Sequence, residues 1–207
     1  MSQPLDSDGL GRMLGLAARG DQDAWAQLVR AYGPRVFALC QSRCHDPEVA
    51  EELTQSVFAT IAVKLTTGEY AERGRFESWL FRVAMNRVRD LMRRNRKRPE
   101  NLPDGGISQA AVPEGPATDR AELAALREAM EQLSPADREV IEMRHHAQMG
   151  FKQIAEVLDE PLGTLLARHH RALRKLREIM ERNVPGMTDM TAGEGFVGGK
   201  IPPPLRQ

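Results

Sequence analysis

The stretch Phe151-Lys-Gln-Ile-Ala-Glu-Val-Leu158, followed by Asp159-Glu-Pro-Leu-Gly-Thr164 and a basic run through Arg177, restricts this chain more than any other segment. Its spacing predicts two short helices joined by a tight turn. Ile154, Ala155 and Leu158 recur at helical spacing and give the first helix one buried face. Ala155 is small where a second helix must cross closely. Pro161 suits the first turn of that second helix, where a missing N–H forfeits no hydrogen bond. From Gly163 to Arg177 there are five basic residues and no acidic one. A helix-turn-helix with a basic second helix is suited to laying side chains in the major groove of DNA.

The chain as a whole is neutral, with 29 basic and 29 acidic residues. Spread evenly, that balance would argue against a nucleic-acid partner, but the charge is segregated. Ala71 to Arg98 holds ten basic and three acidic residues; Cys44 to Ser56 holds Asp46, Glu48, Glu51 and Glu52 and no lysine or arginine. Separate charged surfaces imply separate partners, although any single run is also explained by a solvated helix face. No run of about 20 apolar residues exists to span a membrane. The acidic start, Met1 to Asp8, lacks the apolar core of a signal peptide, so a cytoplasmic protein is expected. Cys40 and Cys44 fit a reducing compartment. They would share a helix face beside His45, yet no second Cys/His pair at motif spacing completes a ligand set. Small buried side chains are the preferred reading, and no metal or cofactor is expected.

Helical spacing recurs throughout, which predicts an all-α protein of two small domains. Ala24, Trp25, Leu28 and Val29 start one stripe, and Tyr32, Val36, Phe37, Leu39 and Cys40 continue it past a bend or break at Gly33-Pro34. Asp46-Pro47 reads as a cap and a first-turn proline, before a helix burying Val49, Ala50, Leu53, Val57, Ile61 and Leu65. A third helix carries Phe76, Trp79, Leu80, Val83, Ala84, Val88 and Leu91 on one side and ends in Arg93-Arg-Asn-Arg-Lys-Arg98. Residues 99–118, with four prolines and three glycines, cannot bury enough surface to offset their ordering entropy and form a flexible linker. Ser134-Pro135-Ala-Asp137 is another helix start. The expected boundaries are a disordered start at 1–15, a domain at 16–98, a second at 119–182, and a disordered, polyproline-ended tail at 183–207.

Three blocks in this order resemble the bacterial RNA polymerase sigma factors of the sigma-70 family, in particular the small extracytoplasmic-function (ECF) group. They are Arg19-Gly-Asp-Gln-Asp-Ala-Trp25 with Leu28-Val29, Asp46 to Phe58, and Phe76 to Arg94; the helix-turn-helix supplies the fourth part. The resemblance implies a domain at 16–98 that binds core polymerase and the minus-ten promoter element (region 2). It implies a domain at 119–182 that reads the minus-thirty-five element (region 4). Core RNA polymerase, promoter DNA (duplex and melted non-template strand) and an anti-sigma protein are the partners it implies.

The resemblance assigns Glu51, Glu52, Gln55 and Phe58 to a polymerase coiled coil. An acidic helix is repelled by phosphate, so a protein with a basic surface is its better partner. Arg73, Arg75, Phe76, Trp79, Asn86, Arg87, Asp90, Arg93 and Arg94 are the minus-ten candidates. Cations there hold the strand and flat rings stack on bases, at about 1–3 kcal/mol per base. Trp79 fits the apolar stripe and base contact equally well. In the helix-turn-helix, Thr164, Arg168, His170, Arg171 and Arg174 are the DNA candidates. The turn departs from the family: Asp159 replaces the usual glycine and Glu160 the apolar residue after it. Leu162, Leu166, His169 and Leu173 form a second stripe that one small module cannot bury alone. No phosphate loop, metal motif or nucleophile–base pattern appears, so no enzyme is expected. The expected function is that of a sigma factor directing promoter recognition, melting and initiation. A stand-alone helix-turn-helix regulator and a sigma-like decoy that holds polymerase or an inhibitor are the alternatives.

Overall fold

In a computed structural model of the protein, the described residues are 7–71, 74–97 and 117–183. They form eight helices and no strand. The N-terminal domain consists of α1 (Ser7–Ala18), α2 (Gln22–Cys44), α3 (Pro47–Thr66) and α4 (Phe76–Lys97). The C-terminal domain consists of α5 (Ala117–Glu131), α6 (Pro135–His145), α7 (Phe151–Leu158) and α8 (Leu162–Asn183). The linker and tail expected on either side of the second domain lie outside the described residues, apart from their edges.

Local chemistry sets most boundaries. The Asp46 carboxylate accepts hydrogen bonds from the N–H groups of Glu48 (2.9 Å) and Val49 (3.2 Å), and Pro47 follows at the first helical position. Two of the donors that an α-helix leaves unpaired at its start are thereby satisfied. Asp46→Ala should lower the stability of the domain by about 1 kcal/mol, which a shift in urea midpoint at constant slope would register. Ser134 caps α6 in the same way, accepting from the Asp137 N–H at 3.2 Å. Asp159 ends α7 in the left-handed conformation, φ 56°, where a glycine is sterically easier.

Two expectations need correction. The start of the chain is not structureless to residue 15. Ser7–Ala18 is a helix whose Met13, Leu14 and Ala17 are buried against α2 and α3. Packing of that narrow stripe outweighs three glycines of poor helix propensity. Nor does Gly33-Pro34 break the chain: α2 runs from Gln22 to Cys44 with Pro34 inside it. Proline forfeits one backbone bond there, but Leu28, Tyr32, Val36 and Leu39 are buried on both sides and hold the helix to one face.

The main core begins in the N-terminal domain with residues such as Leu28, Val36, Leu39, Val57, Ile61, Leu80, Phe81 and Met85. It does not stop at the domain boundary. Val140, Met143, Ala147, Met149, Ile154, Val157 and Leu165 belong to the same buried cluster. The two domains therefore share an interior. A smaller core, Leu133, Ile141 and Ala172 with Met130 and Leu176, is private to the C-terminal domain. Three members of the second stripe, Leu162, Leu166 and Leu173, stay partly in solvent at 36–38% exposure. His169, the fourth, lies edge-on to Phe151, and its Nε2 is 3.4 Å from that of His145.

Candidate nucleic-acid interface

Helix α4 sorts its side chains by spacing. Phe76, Leu80, Phe81, Ala84, Met85 and Val88 are buried. Phe76 is 1% exposed and meets Tyr32 (5.4 Å) and Tyr70 (5.8 Å) edge to face between ring centroids. Its assignment as a DNA contact does not fit that burial: Phe76 is the floor of an aromatic cluster. Trp79 stands at the surface of the cluster, half-buried, with Tyr70 stacked on it at 4.2 Å. Asn86, Arg93 and Arg94 are exposed. Arg87 donates to Thr60 Oγ1 (2.9 Å) and Asp90 pairs with Arg93 (3.0 Å), so these side chains are oriented before any ligand arrives. Arg75 is exposed, and Arg73 lies outside the described residues.

Helix α8 anchors itself through Leu165, Ala172 and Ile179, all buried. The opposite side presents Thr164, His170, Arg171 and Arg174 to solvent. Arg168, expected among them, is instead tied to Glu160 of the turn at 2.7 Å and is only partly exposed. The acidic side of α3 faces outward as well: Glu51, Glu52 and Gln55 are exposed, with Gln55 Nε2 donating to Glu51 at 3.3 Å. Phe58, grouped with them from sequence, is 8% exposed and packs edge-on against Trp25. It supports that face from beneath.

The polar contacts between the domains have no counterpart among the sequence expectations. Arg43 of α2 donates to Glu142 of α6, which is 1% exposed. Burial pushes the Glu142 carboxyl up to about 7, against the opposing pull of Arg43 and Arg138. Arg89 of α4 pairs with Glu139 at 2.8 Å. Arg35 donates to the Ala147 carbonyl at 2.8 Å and pairs with Glu77. On α7, Glu156 accepts from Ser78 Oγ (2.7 Å), and its carbonyl accepts from Arg82; Arg75 lies 3.9 Å from its carboxylate. One sequence signal exists for α4: Arg75, Ser78, Arg82 and Arg89 fall on one helix face together with Asn86 and Arg93. Nothing in sequence indicates that part of that face meets α6 and α7.

The cysteines are poor ligands as placed. Burial raises the Cys40 thiol to about 12 and the Cys44 thiol to about 11, so the thiolate that binds metal is disfavoured. Among the described residues no group of three or more His, Cys, Asp or Glu is arranged to hold a metal ion. No described helix is long and apolar enough to cross a membrane.

Comparison with known proteins matches residues 28–98 to Sigma-70 region 2 and residues 129–178 to Sigma-70, region 4. The chain is 32% identical over 173 residues to the ECF RNA polymerase sigma factor SigE of Mycolicibacterium smegmatis, spanning 80% of this chain and 66% of that protein. It is 30% identical over 178 residues to the ECF RNA polymerase sigma factor RpoE of Cereibacter sphaeroides, spanning 84% of this chain and 96% of that one. Among solved structures, the sigma factor RpoE in complex with the anti-sigma factor NepR from Bartonella quintana superposes with a TM-score of 0.61 at 20% identity, covering 77% of this chain and 98% of that chain. That last likeness is one of fold.

Proposed function

The chain belongs to the ECF sigma factors of the sigma-70 family, and we propose a division of labour among its surfaces. It is a sigma factor: it binds core RNA polymerase and directs promoter recognition and initiation. The acidic side of α3, with Glu51, Glu52 and Gln55, grips the polymerase. Trp79, Asn86, Asp90, Arg93 and Arg94 of α4, with Arg75 and Arg87, hold the minus-ten element and its melted strand. Thr164, His170, Arg171 and Arg174 of α8 engage the minus-thirty-five duplex, chiefly through phosphate, because apolar Leu166 and Ala167 stand where base-reading side chains are needed. Promoter DNA is paired and reopened without covalent chemistry, so the protein acts as an initiation factor rather than an enzyme, in the cytoplasm. An anti-sigma protein is a further partner class, as the Bartonella complex illustrates for its own sigma factor.

The observation that carries this reading is the outward display of one acidic and two basic helix faces on three different helices. An ordinary helix-turn-helix regulator has no use for the first two. The test mixes the purified full chain with core polymerase and genomic fragments. Specific starts are expected. Glu51→Lys with Glu52→Lys should abolish them and polymerase binding alike, while melting temperature changes little, since both side chains are exposed. Arg171→Ala with Arg174→Ala should weaken promoter binding and reduce the salt slope by about 2, one for each phosphate no longer neutralised. Duplex binding that needs no polymerase would point to the stand-alone regulator, and polymerase binding without starts to the decoy.

A further inference from the structure

Two histidines of region 4 meet in a way that promoter reading does not use. His145 is the last residue of α6, and His169 lies on α8, 24 residues further on. Their Nε2 atoms are 3.4 Å apart. That is long for a hydrogen bond, which spans about 2.7–3.2 Å from an N–H donor. It matches a different distance. Two imidazole nitrogens on one tetrahedral zinc ion, each about 2.0–2.1 Å from the metal, lie about 3.3–3.4 Å from each other. The ring centroids are farther apart, at 5.7 Å, so the rings approach through their Nε2 edges. Phe151 of α7 packs edge-on against His169, with centroids 5.0 Å apart, and steadies its ring. Metal takes only the neutral imidazole. Burial holds both rings below the ordinary histidine range; Arg144 pulls His145 the same way, and His145, His170 and Arg144 do so for His169. Arg144 also opposes a bound cation, but its guanidinium lies over the Phe151 ring at 5.2 Å and donates to the Met149 carbonyl at 3.0 Å. His145 is exposed, which leaves room for water on the open side of an ion.

We propose that His145 and His169 form a two-histidine site for a divalent transition ion of the zinc, copper and nickel class, with water in the remaining positions. Imidazole suits these ions; magnesium and calcium take oxygen ligands instead. Two protein ligands fall short of a closed structural site, so binding is reversible and modest. That agrees with the lack, among the described residues, of any group of three or more ligands. The ion ties α8, which carries Thr164, His170, Arg171 and Arg174, to the end of α6. Only the folded chain brings the two rings together, so ion binding and the stability of region 4 are linked. The site is independent of the sigma reading, since it needs neither polymerase nor promoter.

Calorimetric titration of the metal-free full chain with zinc chloride tests the site, together with thermal melting at several zinc concentrations. One equivalent should bind. The melting temperature of the wild type should rise by about 3–6 °C for each tenfold increase in free zinc above the dissociation constant. His145→Gln and His169→Gln should each remove both the binding and the rise. His146→Gln and His170→Gln, each one residue away, should keep both. Without metal, His145→Gln should melt with the wild type, because that ring is exposed. Should His169→Gln fail to fold, the wild type decides by itself: zinc should displace the ring Nε2 nitrogen resonances of His145 and His169 together and leave those of His146 and His170 in place. No binding at millimolar zinc overturns the proposal. So does binding that survives in either His145→Gln or His169→Gln, binding that is lost in His146→Gln or His170→Gln, or a ring signal that moves at a different pair.

Discussion

Phe76→Ala is expected to destabilise region 2 by about 3–5 kcal/mol, the cost of deleting a fully buried aromatic side chain and leaving a cavity. Phe76 is 1% exposed and touches three other rings: Tyr32, Tyr70 and Trp79. Two of those, Tyr70 and Trp79, stack on each other directly above it. Removing the floor frees the stack, so the cost falls on the fold first and on single-strand capture second. Thermal unfolding should move down by about 10 °C, and Phe76→Leu, which fills most of the volume, should recover the greater part. Trp79→Ala should behave in the opposite sense. It is half-buried, so stability should fall by less, while single-strand capture by the chain bound to polymerase should weaken by about 1–3 kcal/mol for one lost base stack. A Phe76→Ala protein with unaltered melting and weakened DNA binding would restore the sequence-based assignment and contradict the cluster.

The contrast between these two rings shows where sequence reading reaches its limit. Both lie on one helical stripe, and periodicity tells which face is apolar but not how deep each ring sits within it. Depth depends on Tyr32 and Tyr70, which arrive from other parts of the chain. Cap chemistry is different because it is local. Asp46-Pro47 and Ser134-Pro135 announce the starts of α3 and α6 with the residues that do the capping. The helix-turn-helix is legible for the same reason, since its spacing, turn and basic run are contiguous. Helix α1 is hidden by Gly9, Gly11 and Gly15, whose propensity argues against a helix that only packing supports. The contacts between the domains are not legible at all. Arg43 and Glu142 are 99 residues apart, and each read alone is an ordinary surface charge. The acids Asp159 and Glu160 are visible as departures in the sequence, but the pairing of Glu160 with Arg168 is seen only in the structure.

Glu142 gives the second large effect, and it depends on pH. The carboxyl is buried at the domain boundary and its pKa is raised from 4.5 to about 7, burial outweighing Arg43 and Arg138, with Glu139 adding in the same direction. An acid whose folded pKa is raised contributes stability that is complete below its unfolded value and lost as pH rises through the folded one. Stability from Glu142 should therefore fall between about pH 4.5 and pH 7, by an amount on the order of 3 kcal/mol. His45, His145, His146 and His169 work against it, because burial lowers their pKa values and their contribution is lost as pH falls below 6.5. His45, His145 and His146 line the same groove as Glu142, with Arg127 and Glu131 of α5, so the wild-type curve alone mixes both trends. Glu142→Gln separates them. The histidines cancel in the difference between wild type and variant, and a constant offset remains for the altered contact with Arg43. Urea unfolding at pH 5 and pH 8 should show the variant gaining on wild type by about 3 kcal/mol at the higher pH, once Glu142 is ionised. A difference that does not change with pH would mean that Arg43 holds the carboxylate charged throughout and that closing the domains carries no proton with it.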